Sequence, residues 1–358
     1  MEYYTSLKSL EKRFDRSAKQ SRFNGSSITE FELWEKSSRE KLKKILGIDQ
    51  LERCALLPKV LECVEVEQGL YREKILIQVE EEVWMPFYVL VPSARRKFTK
   101  AGKMPCILAP HGHMSAGKEA IVGNRENPFV AEKIDYYHYD YGLQMAREGY
   151  VVLCPDARGF GERREVYAQG DDGAKLLGSS CVHLARMVEP LGLTLAGLQT
   201  WDLMRLLDYI EERSEWDAED IGCIGFSGGG LQTLFLCAMD ERISYAVISG
   251  YLYGYKDSLL KLNGNCSCNY IPKLWQDFDM GDLAALFAPK PLRIQSCRED
   301  HLNGERGLEN VFEQFNLVRK AYSLYNREER LEHQICEGGH SWHQEGIPEF
   351  IEKARGVK

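Results

Sequence analysis

The chain has 358 residues, 44% of them hydrophobic, and a formal net charge of −8 with both signs scattered along it. That length holds one large α/β domain with an appendage, or two small domains, and the apolar content supports a sizeable core. A scattered acidic excess repels polyanions, which excludes a nucleic-acid surface, and no stretch approaches the roughly 20 apolar residues of a membrane span.

Met1-Glu2-Tyr3-Tyr4 runs into Lys and Glu without an apolar segment, so no signal peptide is expected. The eleven cysteines, several in apolar runs such as Cys106, Cys154, Cys223 and Cys237, then read as reduced thiols of a cytoplasmic protein. Ser27-Ile28-Thr29-Glu30 fits a capping box, Phe31, Trp34, Leu42 and Ile45 fall near one helical face, and Gly47 supplies a stop. Residues 1–60 are therefore expected to be an N-terminal helical extension, and 61–358 the main domain. From Leu61 the pattern turns to strands. Val64 to Glu67, Lys74 to Glu80 and Val83 to Val91 predict an antiparallel meander, with Pro86 placing the third strand at an edge. Pro92-Ser93-Ala94-Arg95-Arg96-Lys97 reads as a solvated basic loop.

Strands and helices then alternate. Strands are predicted at Met104 to Ala109, Tyr150 to Pro155, Ile221 to Phe226, Ile243 to Ser249, Leu292 to Cys297 and His333 to Cys336. Helices are predicted at Tyr141 to Arg147, Thr194 to Arg213, Gly229 to Met239 and Glu305 to Tyr325. Such alternation implies an α/β fold: a mostly parallel central sheet with helices on both faces. Tyr251 to Gly281 fits neither element. It is rich in aromatics and follows a strand's C-terminal end, where open α/β sheets bind ligands, so it is expected to form a cap loop.

Chemistry concentrates at Gly225-Phe226-Ser227-Gly228-Gly229, a G-x-S-x-G motif between a buried strand and a helix. A serine on so sharp a turn sits in strained backbone with its hydroxyl above the sheet, and glycines on either side let the strand and helix approach. Ser227 is the expected nucleophile, with the Gly228 amide as one oxyanion donor at the positive end of the helix. A base and an orienting acid should follow in the order Ser, acid, His. Asp300 is the acid, with Glu299 in reserve; His340, after Gly338-Gly339, is the base, with His343 in reserve. The second oxyanion amide should come from Pro110-His111-Gly112-His113-Met114, at His113 or Met114. His111, Gly112, Tyr251, Tyr253, Trp275 and Trp342 are expected to touch substrate: Gly112 lets the backbone come close to a substrate carbonyl, and the rings of the aromatic cap stack on sugar or aryl faces.

Three rival patterns weigh less. Gly112 to Lys118 matches G-x-x-x-x-G-K, but Glu119 stands where a P-loop needs a hydroxyl for magnesium. His111-x-His113, or Cys266-x-Cys268 with Cys336 and His340, lacks the paired local spacing of a zinc site. Gly228-Gly229-Gly230 departs from the dinucleotide fingerprint at Thr233. Neither a metal nor a cofactor is expected.

With these motifs in place, the stretch from about Arg72 to Pro348 resembles the α/β-hydrolases, and within them the acetyl xylan esterase and dienelactone-hydrolase-like branch. The resemblance is carried by Pro110-His111-Gly112, Pro155-Asp156-Ala157-Arg158-Gly159-Phe160-Gly161, Leu193-Thr194-Leu195-Ala196-Gly197, Trp201-Asp202-Leu203-Met204-Arg205 and the Ser227 turn. Cys268-Asn269-Tyr270 to Phe278-Asp279-Met280 adds to it. The chain departs from dienelactone hydrolases, whose nucleophile is cysteine, and from the G-x-S-R-x-G of glucuronoyl esterases, since Gly228 stands where Arg would be. The resemblance implies an α/β-hydrolase domain with a cap insertion at about 251–281 and ester hydrolysis by a serine nucleophile. The expected substrate is a small acyl ester such as an acetylated sugar, with no nucleic-acid or membrane partner and a homo-oligomer left open. Feruloyl or aryl esterase, lactonase, serine peptidase, acyltransferase and a non-catalytic binding protein of the same fold are the alternatives.

Overall fold

The computed structural model describes residues 2–93, 102–262 and 264–356, so the basic run from Ala94 to Lys97 lies outside the described residues. Among those described, nine strands form one mixed sheet: β1 (Lys59–Glu67), β2 (Leu70–Glu80), β3 (Val83–Pro92), β4 (Met104–Leu108), β5 (Val151–Pro155), β6 (Trp216–Phe226), β7 (Ile243–Ser249), β8 (Leu292–Cys297) and β9 (Leu331–Cys336). Their order is β1-β2-β3-β5-β4-β6-β7-β8-β9. The first three strands and the β3–β5 pair are antiparallel; from β5 to β9 all neighbours are parallel.

Every residue of β4 and β5 is buried, as is the Ile221–Phe226 end of β6. Burial on both faces explains why these strands read as continuous apolar runs. Alternate residues go to opposite cores. Cys106 and Leu108 join one core with Leu206 and Leu234 of the helices Leu195–Glu211 and Gly228–Met239. Ile107 joins a second core with Tyr141 of the helix Tyr141–Arg147 and Phe350 of the helix Ile347–Ala354. Helices thus cover both faces.

The expected edge position for Pro86 is corrected by the structure. β3 lies between β2 and β5. It pairs with β5 only from Phe87 to Leu90, so Pro86 falls just past that ladder and its missing N–H leaves no partner unsatisfied. Its carbonyl accepts from the Asp156 amide at 3.1 Å. β1 holds that edge instead; it is mostly exposed and begins at Lys59, five residues before the predicted start at Val64.

At the N-terminus, the Ser27–Glu30 capping box forms and the helix Ile28–Leu46 stops at Gly47 in the left-handed region. Phe31, Leu42 and Leu46 are buried in the first core. The docking is intimate at one point. Thr194 Oγ1 donates to the Leu46 carbonyl at 3.0 Å, and a Cβ on Gly197 would sit 2.0 Å from that same oxygen. Residues 251–262 and 264–281 fold into short helical turns and connecting loops, and Tyr251, Tyr253 and Tyr255 are each at most 3% exposed. No helix among the described residues is long and apolar enough to cross a membrane.

Gly197→Ala should drive the two helices apart and destabilise the fold by about 1–3 kcal/mol. Urea unfolding measures it, and a loss below about 0.5 kcal/mol would show that this contact yields freely.

Candidate active site

The C-terminal ends of the parallel strands converge on Ser227. It follows β6 with φ 57° and ψ −118°, and it caps the helix Gly228–Met239. A non-glycine residue held there stores roughly 1–3 kcal/mol of backbone strain. The crowding that enforces it is explicit. A Cβ on Gly225 would lie 2.2 Å from the Gly229 carbonyl oxygen, and one on Gly229 2.2 Å from that of Pro110. The Ser227 amide is tied to the Ser249 carbonyl at the end of β7, 2.9 Å away.

Asp300 follows β8 and His340 follows β9, and the two meet: His340 Nδ1 is 2.6 Å from Asp300 Oδ2. Asp300 is 4% exposed, whereas Glu299, the reserve acid, faces solvent. Asp300 Oδ1 accepts from the Leu302 amide at 2.9 Å, which fixes the carboxylate plane. The imidazole lies on the ring of Phe226, the residue before Ser227, with centroids 4.5 Å apart. Gly250 gives it room, since a Cβ there would be 3.0 Å from His340 Cε1. His340 Nε2 is buried and has no hydrogen-bond partner among the described residues. The reserve base, His343, contacts the Ser341 hydroxyl at 3.2 Å rather than Asp300.

The turn after β4 is held by its carbonyls. Pro110 O accepts from the Tyr141 hydroxyl at 2.5 Å, His111 O from Gln232 Nε2 at 2.9 Å, Gly112 O from the Ser115 hydroxyl at 2.7 Å, and His113 O from the Tyr139 hydroxyl. Gly112 and His113 are thereby pressed against Gly228, where a Cβ would be 2.7 Å from His113 Nδ1 and 3.4 Å from the Gly112 Cα. His111 does not reach toward a ligand. It is 1% exposed, its Nε2 accepts from the Ala157 amide at 3.0 Å, and its Nδ1 is 2.8 Å from Gly112 O. That pattern requires the neutral ring protonated on Nδ1, and burial pushes its pKa down to about 4. Met114, at φ 62°, is 43% exposed.

Asp156, at the end of β5, is fully buried and anchors the far side of this turn. It takes the Lys118 ammonium at 2.7 Å, the Lys118 amide at 2.8 Å and the Glu162 amide at 3.1 Å. Burial alone would raise its carboxyl; the Lys118 charge and these bonds hold it below the usual carboxylate value. Lys118 is itself 1% exposed. The G-x-x-x-x-G-K pattern therefore ends in a buried ion pair, not in a lysine free to meet phosphate. Asp202 plays the same part next door, taking Arg158 at 2.9 and 2.8 Å and Arg163 at 2.6 Å.

The aromatics expected at the substrate lie elsewhere. Trp342 is 0% exposed, packed on Tyr141 with centroids 4.7 Å apart. Trp275 packs on Tyr255 and on Phe14 of the N-terminal helix Leu7–Ser17. The Tyr251 hydroxyl donates to Asn269 Oδ1 at 2.8 Å. Tyr253 is 1% exposed and packs on Tyr251 with centroids 5.3 Å apart; its phenol is raised first by burial and then by the Asp300 charge. Long apolar bodies in a segment this well packed go to the core first, so these rings fill the interior and not a substrate cleft. The residues that pin the turn, Tyr139, Tyr141 and Gln232, were not singled out by sequence, although Tyr136-Tyr137-His138-Tyr139-Asp140-Tyr141 is a conspicuous tyrosine run. A cleft of about 960 Å³ lined by Glu211, Arg242, Lys290, Glu329 and Lys353 includes none of the expected site residues.

A family model described as Abhydrolase family matches residues 14–354. The chain belongs to this Abhydrolase_7 family of α/β-hydrolases. The provisionally assigned hydrolase YtaP of Bacillus subtilis (strain 168) is 25% identical over 283 residues, covering 78% of this chain and 86% of that one. Among solved structures, a provisionally assigned acetyl xylan esterase of Bacteroides fragilis NCTC 9343 superposes with a TM-score of 0.75 at 19% identity, covering 97% of this chain and 85% of that one. A glucuronoyl esterase from Solibacter usitatus gives a TM-score of 0.63 at 15% identity, covering 95% and 96%. This Abhydrolase_7 chain is thus structurally similar to carbohydrate esterases.

Lys118→Met should leave Asp156 charged and unpaired in the interior, at a cost of about 3–5 kcal/mol. Denaturant unfolding of the variant tests this, and a change under about 1 kcal/mol would mean that the two backbone amides suffice for the carboxylate.

Proposed function

We propose that this Abhydrolase_7 protein is a serine carboxylic-ester hydrolase with Ser227 as nucleophile, His340 as general base and Asp300 as its orienting acid. The observation that carries the reading is His340 Nε2: a buried ring nitrogen with no hydrogen-bond partner among the described residues, on an imidazole whose Nδ1 is held by Asp300, packed beside the strained serine turn. A buried nitrogen left open has a polar group to receive. Contacts of this kind tighten when substrate binds.

In this mechanism Asp300 accepts from Nδ1–H, so Nε2 presents its lone pair to the Ser227 hydroxyl. The hydroxyl oxygen attacks the ester carbonyl as its proton passes to Nε2. Charge building on the carbonyl oxygen is met by Gly228 N–H, at the positive end of the helix Gly228–Met239, and by an amide of the Gly112–Met114 turn. Such a donor is worth roughly 3 kcal/mol in the transition state, and only if it does not move. The four side-chain bonds to the carbonyls of residues 110–113 keep that turn still. The imidazolium then protonates the leaving alcohol, and water activated by the same nitrogen releases the acyl group.

The substrate class rests on likeness. Neighbours in fold bear the names acetyl xylan esterase and glucuronoyl esterase. We assign a sugar or other small alcohol carrying a short acyl group.

Ser227→Ala should reduce kcat on p-nitrophenyl acetate by roughly 10⁶ and abolish labelling by a fluorophosphonate probe. Wild-type-like turnover by that variant sinks the assignment. Asp300→Asn should lower kcat by up to about 10⁴ through loss of the productive tautomer. Glu299→Gln should leave the rate nearly unchanged, and the reverse ranking would make Glu299 the acid. Hydrolysis rates across acetylated sugars, feruloyl esters and lactones then rank the acyl and leaving groups.

A further inference from the structure

Three cysteines and a histidine from distant parts of the chain gather behind the turn that follows β4. His113, Cys266 and Cys268 have their donor atoms all within 4.8 Å of one another. Cys268 Sγ lies 3.4 Å from His113 Nε2. Cys181, first residue of the helix Cys181–Val188, is a buried neighbour whose thiol interacts with those of Cys266 and Cys268 but stands outside this set of three. Cys181 and Cys268 are 0% and 3% exposed, and Cys266 and His113 are half-buried. Sequence spacing had offered Cys266 and Cys268 with Cys336 and His340. Folding instead sets Cys336 opposite Cys297 on the neighbouring strand, and gives His340 to Asp300.

We propose that His113, Cys266 and Cys268, with the adjoining Cys181 drawn in as fourth ligand, form a four-coordinate site for a divalent metal of zinc type. Three thiolates and one imidazole are a donor set of closed structural zinc sites. One dimension agrees. Zn–S of about 2.3 Å and Zn–N of about 2.0–2.1 Å in a tetrahedron put S and N about 3.6 Å apart, close to the observed Cys268–His113 contact. A supporting shell is present: Asn269 Nδ2 points at Cys268 Sγ from 3.7 Å and also donates to the Cys266 carbonyl at 3.1 Å. Asn269 is in turn held by the Tyr251 hydroxyl at 2.8 Å. Hydrogen bonds to ligands of this sort orient them and temper thiolate charge.

Binding is a ligand exchange without redox change. The cation displaces one proton from each of the three thiols and takes the lone pair of His113 Nε2, releasing three protons and leaving the site with a formal charge of −1. With the metal on Nε2, the ring proton of His113 resides on Nδ1, the nitrogen that lies against Gly228. The metal then ties the turn after β4 to the 251–281 segment and to the helix that begins at Cys181. We assign it a positioning role, holding the turn that presents the second oxyanion amide.

Metal content of the purified full-length protein tests this without reference to turnover, so its outcome is separate from that of the esterase reading. About one zinc per chain is expected, lost in a Cys266→Ser/Cys268→Ser double variant and kept in Cys63→Ser, an exposed thiol on β1. Because the double variant can fail to fold, the wild-type chain should also be stripped with a chelator and titrated with cobalt(II). Thiolate-to-metal charge-transfer absorption saturating at one equivalent supports the site. Absence of metal both as purified and after incubation with zinc or cobalt overturns it. So does retention of full metal content by a folded double variant, or a disulfide among the three cysteines in the intact mass of the native chain.

Discussion

The approach of one glycine to one carbonyl sets the geometry on which the candidate site rests. Gly229 lies so close to Pro110 O that any side chain would occupy the oxygen's position. This contact locks the end of β6 to the end of β4. The polypeptide can then leave β6 only through a turn that forces Ser227 to positive φ. The strain is local, but its support is distributed: β4, β5 and the buried Ile221–Phe226 end of β6 cannot shift to relieve it, because both sheet faces are packed.

Around that contact the protein spends buried polar groups on position. Asp156 and Asp202 lie in the interior, the first held by the Lys118 ammonium and two backbone amides and the second by the guanidiniums of Arg158 and Arg163. They fix the loop Pro155–Gly161, which donates the Ala157 amide to His111. His111 in turn braces Gly112, and Tyr141, Gln232, Ser115 and Tyr139 take the remaining carbonyls. A buried network of this kind is costly if any member is missing and rigid when complete. Rigidity here serves electrostatics, because an amide donor stabilises developing charge only when it need not reorganise.

The segment after β7 has a structural office that its composition disguised. Its tyrosines fill the main core, and Cys266, Cys268 and Asn269 face the back of the same turn. Packing and coordination therefore act on one element from two sides. The N-terminal helices add a third layer, reaching this segment through Trp275 and the rest of the sheet through Leu46 and Thr194.

Much of this was legible in the chain itself. Local rules set the elements: the Ser27–Glu30 capping box, the left-handed stop at Gly47, the apolar runs of the parallel strands and the strand-to-helix turn at Ser227 all depend on residues within a few positions of one another. Chain order alone put Asp300 and His340 at successive strand ends, and parallel topology brings such ends together. Tertiary structure decided what local rules do not encode. Pro86 is tolerated inside the sheet because the β3–β5 ladder begins one residue later. Trp342 and Tyr251 turn inward because the space they fill exists only once distant elements have docked. Cys181 meets Cys266 and Cys268, 85 or more positions away in sequence, because the ends of β4, β5 and β7 open onto the same side of the sheet. Proximity across such separations is a property of the packed fold, and no spacing rule reads it from the chain.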